Sequence, residues 1–74
     1  MKITIKLFAT FRKDRFEIEE RTYPEGTTVG QIVAELELPQ SKLGILLVSS
    51  RHVDLERVLV DGETLAIFPL VGGG

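Results

Sequence analysis

The sequence predicts a small two-layer α+β domain in which one helix covers one face of a single β-sheet. Apolar and polar residues alternate near both ends of the chain, as they do in half-buried strands. One stretch in the middle instead has the apolar spacing of an amphipathic helix. With 74 residues, the chain has room for one domain. Because a domain this small buries only about 60% of its unfolded surface, a binding or carrier role suits it better than an enclosed active site.

The N-terminal region predicts two strands that form a hairpin. In the first strand, residues 2–8, one face carries Ile3, Ile5 and Leu7, and the other carries polar residues and a phenylalanine. The second strand, residues 16–23, alternates in the same way. The polar stretch between the two strands indicates a turn.

The helix is expected to begin after Thr28. Thr28 and Gln31 match the capping box, in which each side chain accepts a hydrogen bond from the other residue's backbone N–H group. The helix then runs from residue 29 to residue 36 or 38, where Pro39 is expected to stop it. Its apolar stripe consists of Val29, Ile32, Val33 and Leu36.

The second half of the chain predicts two or three further strands. Residues 44–48 form a continuous apolar run, typical of a strand that is buried on both faces or borders a partner. Residues 49–52 indicate a turn, and residues 53–59 a short strand and a loop. Asp61-Gly62 is a strong turn signal before the last strand, residues 63–69. The sheet should therefore be mixed and contain four to five strands.

The composition excludes several kinds of site. The absence of cysteine rules out disulfides, thiolate metal sites and thiol nucleophiles. The single histidine, His52, has no second ligand suggested by the sequence, so we expect a surface residue and no metal site. The formal net charge is −2 and no basic stripe is present, which argues against a nucleic-acid partner.

The N-terminus alternates charged and apolar residues, unlike a signal peptide. No apolar run approaches the ~20 residues that a membrane-spanning helix needs. We therefore expect a cytoplasmic protein with no membrane partner.

The C-terminus carries the candidate reactive group. Residues 1–71 are assigned to the domain, and Gly72, Gly73 and Gly74 to a flexible tail that suits a narrow channel in another protein. Pro69 has no N–H and is expected to release the chain from the sheet. A carboxylate such as that of Gly74 is a poor electrophile and needs activation, typically adenylation with ATP. Sulfide can then attack the acyl-adenylate and leave a thiocarboxylate.

Four segments of the chain resemble one family in order. Residues 7–12 contain an aromatic-Ala-x-x-Arg pattern, and residues 26–29 a Gly-x-Thr-Val entry to the helix. Residues 59–65 resemble a Leu-x-Asp-Gly-Asp-x-Val turn, and residues 67–74 a terminal Phe-Pro-Pro-Val-x-Gly-Gly. Over its whole length the chain resembles the MoaD/ThiS family of ubiquitin-like sulfur carriers. Within that family it is more similar to the small subunit of molybdopterin synthase.

This resemblance implies a β-grasp fold and a thiocarboxylate formed on Gly74. It also implies two partners: an adenylating, E1-like enzyme that uses ATP, and the large subunit of molybdopterin synthase, which builds the dithiolene of the molybdenum or tungsten cofactor precursor. The chain itself would bind no cofactor, since it lacks a phosphate-binding loop, and would not be catalytic alone. Two departures are visible: Leu70 replaces the second proline of the tail pattern, and Ser49-Ser50 replaces the family's Asn-Gly turn.

The same strand pattern predicts a docking surface. If the apolar faces of the first and last strands cover the helix, Phe8 and Phe68 lie on the opposite face, beside the root of the tail. We therefore predict an exposed apolar patch of these two rings with Leu46 or Val48. The partner-docking residues are completed by Pro69, Leu70 and Val71.

Three alternatives stay open at this point. The chain could be a sulfur carrier of the thiamine pathway, although those carriers are usually shorter between the first two strands. It could be a ubiquitin-like modifier joined to lysines through Gly74, since both roles use the same activation. It could also be a non-catalytic β-grasp interaction domain whose terminal glycines are incidental.

Overall fold

The computed structural model of the protein describes residues 1–70. Its two short 3-10 helices are Ala9–Arg12 and Gln40–Lys42. No helix within these residues is long and apolar enough to cross a membrane. The strands and the α-helix follow in the order β1 (Lys2–Leu7), β2 (Ile18–Thr22), α1 (Val29–Glu35), β3 (Leu43–Val48), β4 (Arg51–His52) and β5 (Thr64–Pro69).

The five strands form one mixed sheet in the order β2-β1-β5-β3-β4. The two central strands, β1 and β5, are parallel, and every other neighbouring pair is antiparallel. The helix covers one face, as predicted for an α+β domain. This arrangement is the β-grasp fold, which confirms the expected fold class.

The core lies between the sheet and the helix. The side chains of β1 and β5 that were expected to face the helix are fully buried there, as are apolar residues of α1. Burying one such side chain contributes about 1.5–3 kcal/mol to stability. The central members of this core are Ile3, Ile5, Leu7, Leu65, Ile67, Val29, Ile32 and Val33.

The start of α1 follows the sequence prediction. The backbone N–H of Gln31 donates to the Thr28 hydroxyl at 3.2 Å, and the Thr28 N–H donates to the Gln31 side-chain oxygen at 2.8 Å. The predicted capping box is therefore confirmed, and the helix begins at Val29.

The end of α1 is set by a different device from the one expected. The helix stops at Glu35, and Glu37 adopts a left-handed conformation with φ of 58°. The Glu37 N–H then donates to the Ala34 carbonyl at 3.0 Å and the Leu38 N–H to the Val33 carbonyl at 3.2 Å. This is a Schellman motif. The expectation that Pro39 stops the helix was wrong, because the chain has already turned before it.

Of the two alternatives left open for β3, burial on both faces was wrong. Leu46 and Val48 are buried against the core, Leu47 is partly buried on the other face, and the side chain of Ile45 is 41% exposed. An apolar run can therefore alternate in burial when one face of its strand is left uncovered by helix.

The short strand after β3 also lies earlier than expected. Val48 pairs with Arg51 across a two-residue turn, Ser49 and Ser50, whose φ angles of 51° and 66° are both positive. This is the geometry of a type I′ hairpin turn. The strand falls within the stretch assigned to a turn, and residues 53–59 form a loop that makes one isolated bridge between Val58 and Thr28.

The loop before β5 is tied to β1 and to itself. The Lys2 N–H donates to Asp61 Oδ1 at 2.7 Å, and the Gly62 N–H donates to the Lys2 carbonyl at 2.8 Å, so the predicted Asp-Gly turn anchors the start of β1. Arg57 makes two hydrogen bonds to the Glu63 carboxylate at 2.9 and 2.8 Å, and the Val60 N–H adds a third at 2.7 Å. These bonds, above all that from Arg57, hold the pKa of Glu63 below its ordinary value of 4.5.

Replacing Glu37 by glycine should stabilise the domain. A side chain in the left-handed region costs about 1–2 kcal/mol, of which a glycine recovers part while losing more entropy on folding. We expect Glu37→Gly to raise the free energy of unfolding by about 0.5–1 kcal/mol, measured by urea denaturation. Ala34→Gly, at an exposed position within the helix proper, should lower it by a similar amount. A loss of stability in Glu37→Gly would contradict the assigned conformation.

The Arg57–Glu63 pair should make stability pH-dependent. Because the pKa of Glu63 is lowered in the folded state, its contribution is fully present above the unfolded value near 4.5 and is lost as the pH falls through the lower folded value. Denaturation of the wild type and Glu63→Gln at several pH values should show a stability gap at pH 7 that narrows towards pH 3. A gap of constant size would contradict the assigned hydrogen bonds.

Candidate functional site

The face of the sheet that points away from α1 carries the candidate docking surface. Strand pairing places Lys6 of β1 beside Ala66 of β5, and Ala66 beside Leu47 of β3. Side chains alternate between the two faces along a strand. Phe8 follows Lys6 by two residues and Phe68 follows Ala66 by two residues, so both lie on the same face as these residues. We call the surface formed by these five residues the outer face.

The two aromatic rings of the outer face are stacked on each other. The centroids of Phe8 and Phe68 are 4.0 Å apart and the ring planes differ by 10°. Both residues are partly buried rather than fully exposed. Such an aromatic pair contributes about 0.5–1.5 kcal/mol beyond the area that it buries. The rings therefore form one preorganised apolar surface at the ends of β1 and β5.

The contacts of Arg12 account for the aromatic-Ala-x-x-Arg pattern that follows the first strand. Its Nε donates to the Leu7 carbonyl at 2.7 Å, and its guanidinium lies 5.2 Å from the centroid of the Phe8 ring. A cation at this distance from a ring is attracted to its face. Ala9, with φ of 53°, turns the chain so that the 3-10 helix containing Arg12 follows at once. The pattern thus fixes the position of Phe8.

A shallow groove of about 450 Å³ runs over the outer face. The five residues of the outer face line it, together with Ser49, Ser50, Gly62 and Thr64 at its other end. The inclusion of Leu46 or Val48 in this patch was wrong: the two side chains are 8% and 2% exposed and belong to the core. Leu47 takes their place.

Leu47 was missed because its face depends on the pairing of β3. Leu43 pairs with Pro69 and Leu46 with Ile67, so two residues of β3 stand opposite Phe68 alone. This β-bulge shifts the alternation of β3 by one residue. An uninterrupted apolar run carries no signal for such a shift, whereas Lys6 and Ala66 could be placed from alternation alone.

The root of the tail stays paired with the sheet. Pro69 is the last residue of β5 and pairs with Leu43, and the N–H of the next residue, Leu70, donates to the Lys42 carbonyl at 2.8 Å. The expectation that Pro69 releases the chain from the sheet was therefore wrong. The side chain of Leu70 is 61% exposed.

The predicted tail residues lie outside the part of the chain that the structure describes. Val71, Gly72, Gly73 and Gly74 belong to this group, so their assigned roles stay predictions. His52 lies exposed in β4. Within residues 1–70, no group of three histidine or acidic residues is arranged to hold a metal ion.

Solved structures share this fold over almost the whole chain. A protein from Pyrococcus furiosus, described as a molybdopterin converting factor, subunit 1, is 28% identical, with a TM-score of 0.78 and coverage of 96% of this chain and 99% of that one. The H. volcanii small archaeal modifier protein 1 is 21% identical, with a TM-score of 0.77 and coverage of 95% and 98%.

A third structure is a protein–protein complex of subunits 1 and 2 of the molybdopterin-converting factor from Helicobacter pylori 26695. The matched chain is 17% identical, with a TM-score of 0.68 and full coverage of both chains. At 17% and 21% identity, this likeness and that to the modifier protein show the fold alone.

A search of curated proteins found no match. A family model described as the ThiS family matches residues 5–74, a range that includes the end of β1, the whole of β5, the outer face and the terminal glycines. The chain therefore belongs to the ThiS family of ubiquitin-like sulfur carriers.

Proposed function

We propose that this carrier donates sulfur in molybdopterin biosynthesis, as the small subunit of a synthase-type complex. The observation that supports it most is the family match through Gly74, joined to an outer face that ends at the root of the tail. The 28% identity with the P. furiosus subunit 1 favours the molybdenum or tungsten cofactor pathway over the thiamine pathway.

The proposed chemistry takes place at the carboxylate of Gly74 in two steps. In the ATP site of an E1-like partner, a carboxylate oxygen first attacks the α-phosphorus of ATP, which forms the acyl-adenylate and releases pyrophosphate. Sulfide then attacks the acyl carbon, and AMP leaves with the oxygen, so that a thiocarboxylate remains. The chain contributes the reacting carboxylate, and the partner contributes the ATP site.

The outer face is the proposed docking surface for these partners. Stacking holds the rings of Phe8 and Phe68 in place before binding, so little side-chain entropy is lost when a partner covers them. Pro69, Leu70 and Val71 lead from this surface towards the reactive end. The P. furiosus protein, at 28% identity, is described as a subunit 1, and in H. pylori subunit 1 forms a complex with subunit 2; together these support a large subunit as one partner here.

A second candidate function is conjugation to lysines of other proteins. A small archaeal modifier protein shares this fold, and conjugation would use the same activated carboxylate. A thiocarboxylate on the free chain supports the carrier role, whereas Gly-Gly-modified lysines in the source cell support the modifier role. Both roles consume ATP, which is consistent with the cytoplasm as the proposed location.

Intact mass tests the carrier proposal directly. We would incubate the chain with ATP, sodium sulfide and the candidate adenylating enzyme of the source cell. The expected result is a gain of about 16 Da from the exchange of oxygen for sulfur. A chain without Gly73 and Gly74 should stay folded and show no gain. Absence of adenylate and thiocarboxylate in the full-length chain would overturn the proposal.

Removal of one ring should weaken docking more than folding. We expect Phe68→Ala to lower the affinity for the activating enzyme at least tenfold, and to lower the free energy of unfolding by about 1–2 kcal/mol because the ring is only partly buried. Titration calorimetry and urea denaturation give the two values. Val60→Ala, an exposed apolar residue before β5, is the matched control and should leave affinity unchanged.

A double-mutant cycle measures the contribution of the ring stacking to stability, apart from docking. Phe8→Ala, Phe68→Ala and the double variant should show a stability coupling of about 0.5–1.5 kcal/mol. Global unfolding of Phe68→Ala at room temperature would mean that Phe68 belongs to the core, and the docking assignment would fail.

A further inference from the structure

Gly44 lies where β5 ends, with no room for a side chain. A Cβ atom on Gly44 would stand 2.5 Å from the Pro69 carbonyl oxygen, 2.8 Å from the Pro69 carbonyl carbon and 3.0 Å from the Leu70 nitrogen. Carbon atoms in favourable contact are about 3.5–4.0 Å apart. The backbone of the tail root therefore lies directly against this glycine.

Two contacts on either side of Gly44 hold the tail root in that place. Leu43, the preceding residue, pairs with Pro69. The carbonyl of Lys42 accepts the hydrogen bond from the Leu70 N–H. The bulge of β3, made by Gly44 and Ile45 opposite Phe68, brings the glycine under the Pro69–Leu70 peptide.

We infer that Gly44 is a positioning residue, which fixes the point from which the C-terminal tail leaves the sheet. This rests on the proposed function, in which the Gly74 carboxylate must reach a partner's reaction centre. With Leu70 held to Lys42, four residues follow the anchor. At ~3.3–3.6 Å per residue they extend at most about 14 Å.

A fixed anchor limits where each of the two partners can hold the reacting carboxylate. When the outer face is docked, the reaction centre has to lie within about 14 Å of the Leu70 anchor. A displaced anchor carries the carboxylate away from that centre although the outer face still docks. Misplacement of a reacting group by about 1 Å can cost on the order of 100-fold in rate.

The test compares two glycine variants in the mass assay. Gly44→Ala forces Pro69 and Leu70 away from β3. Gly30→Ala is the matched control, because its Cβ would also crowd a backbone oxygen, that of Leu55 at 3.1 Å, but at the start of α1. We expect kcat for thiocarboxylate formation to fall about 10- to 100-fold in Gly44→Ala with KM within about threefold of the wild type. Gly30→Ala should keep the wild-type kcat and KM.

A second measurement follows the anchor without any partner. Amide hydrogen exchange of Leu70, measured by NMR, should be slowed in the wild type and in Gly30→Ala, and fast in Gly44→Ala. If Gly44→Ala does not fold, a synthetic chain with an ester in place of the Leu70 amide removes the donor alone. It should retain the wild-type melting temperature within a few degrees and show at least a threefold lower kcat.

The possible failures are distinguishable. No mass gain in the wild type overturns the proposed function and this inference together. Equal kcat in the wild type and Gly44→Ala, or in the wild type and the ester chain where Gly44→Ala does not fold, overturns the positioning role alone. A KM raised more than threefold with unchanged kcat would assign Gly44 to docking, and this result would also overturn the positioning role.

Discussion

The parallel pairing of β1 with β5 is the constraint on which the rest of this structure depends. It joins the first strand of the chain to the last, in the register that sets Leu7 beside Ile67. The same register buries both of these side chains and brings Phe8 and Phe68 together on the opposite face. A slip of one residue would exchange the two faces and place the aromatic rings in the core. Folding and the formation of the outer face are thus one event.

Much of this arrangement could be predicted from the sequence, because period-two alternation assigns faces without knowledge of the partner strand. Alternation placed Ile5 and Leu65 in the core, and the Thr28–Gln31 pair located the start of the helix. The failures occur where a local backbone choice overrides the pattern. Glu37 adopts a left-handed conformation, which a glycine at this position would have predicted and a glutamate does not. The bulge of β3 inserts one residue into an unbroken apolar run.

The wrong expectation for Pro69 has a specific reason. A proline ends a ladder only if the missing N–H would have faced a neighbouring strand. The Ile67 carbonyl accepts from the Phe8 N–H on the β1 side, whereas the Leu70 N–H donates on the β3 side. Since backbone groups alternate in direction along a strand, the Pro69 nitrogen faces the β1 side. β1 has already ended at Leu7, so no hydrogen bond is lost and the pairing with β3 continues.

The proposed carrier role sets two opposite requirements within a few residues: a reactive end that can enter a partner and a fixed direction at the root. In the family pattern that the tail resembles, a second proline occupies the position of Leu70, and its ring fixes φ while removing the N–H. This chain has a leucine there, whose N–H binds the Lys42 carbonyl. A hydrogen bond to a neighbouring strand restrains direction only while that strand lies close, and the closeness here requires a residue without a side chain at position 44. The restraint that the Leu70 N–H provides at the root of the tail therefore depends physically on the glycine opposite it.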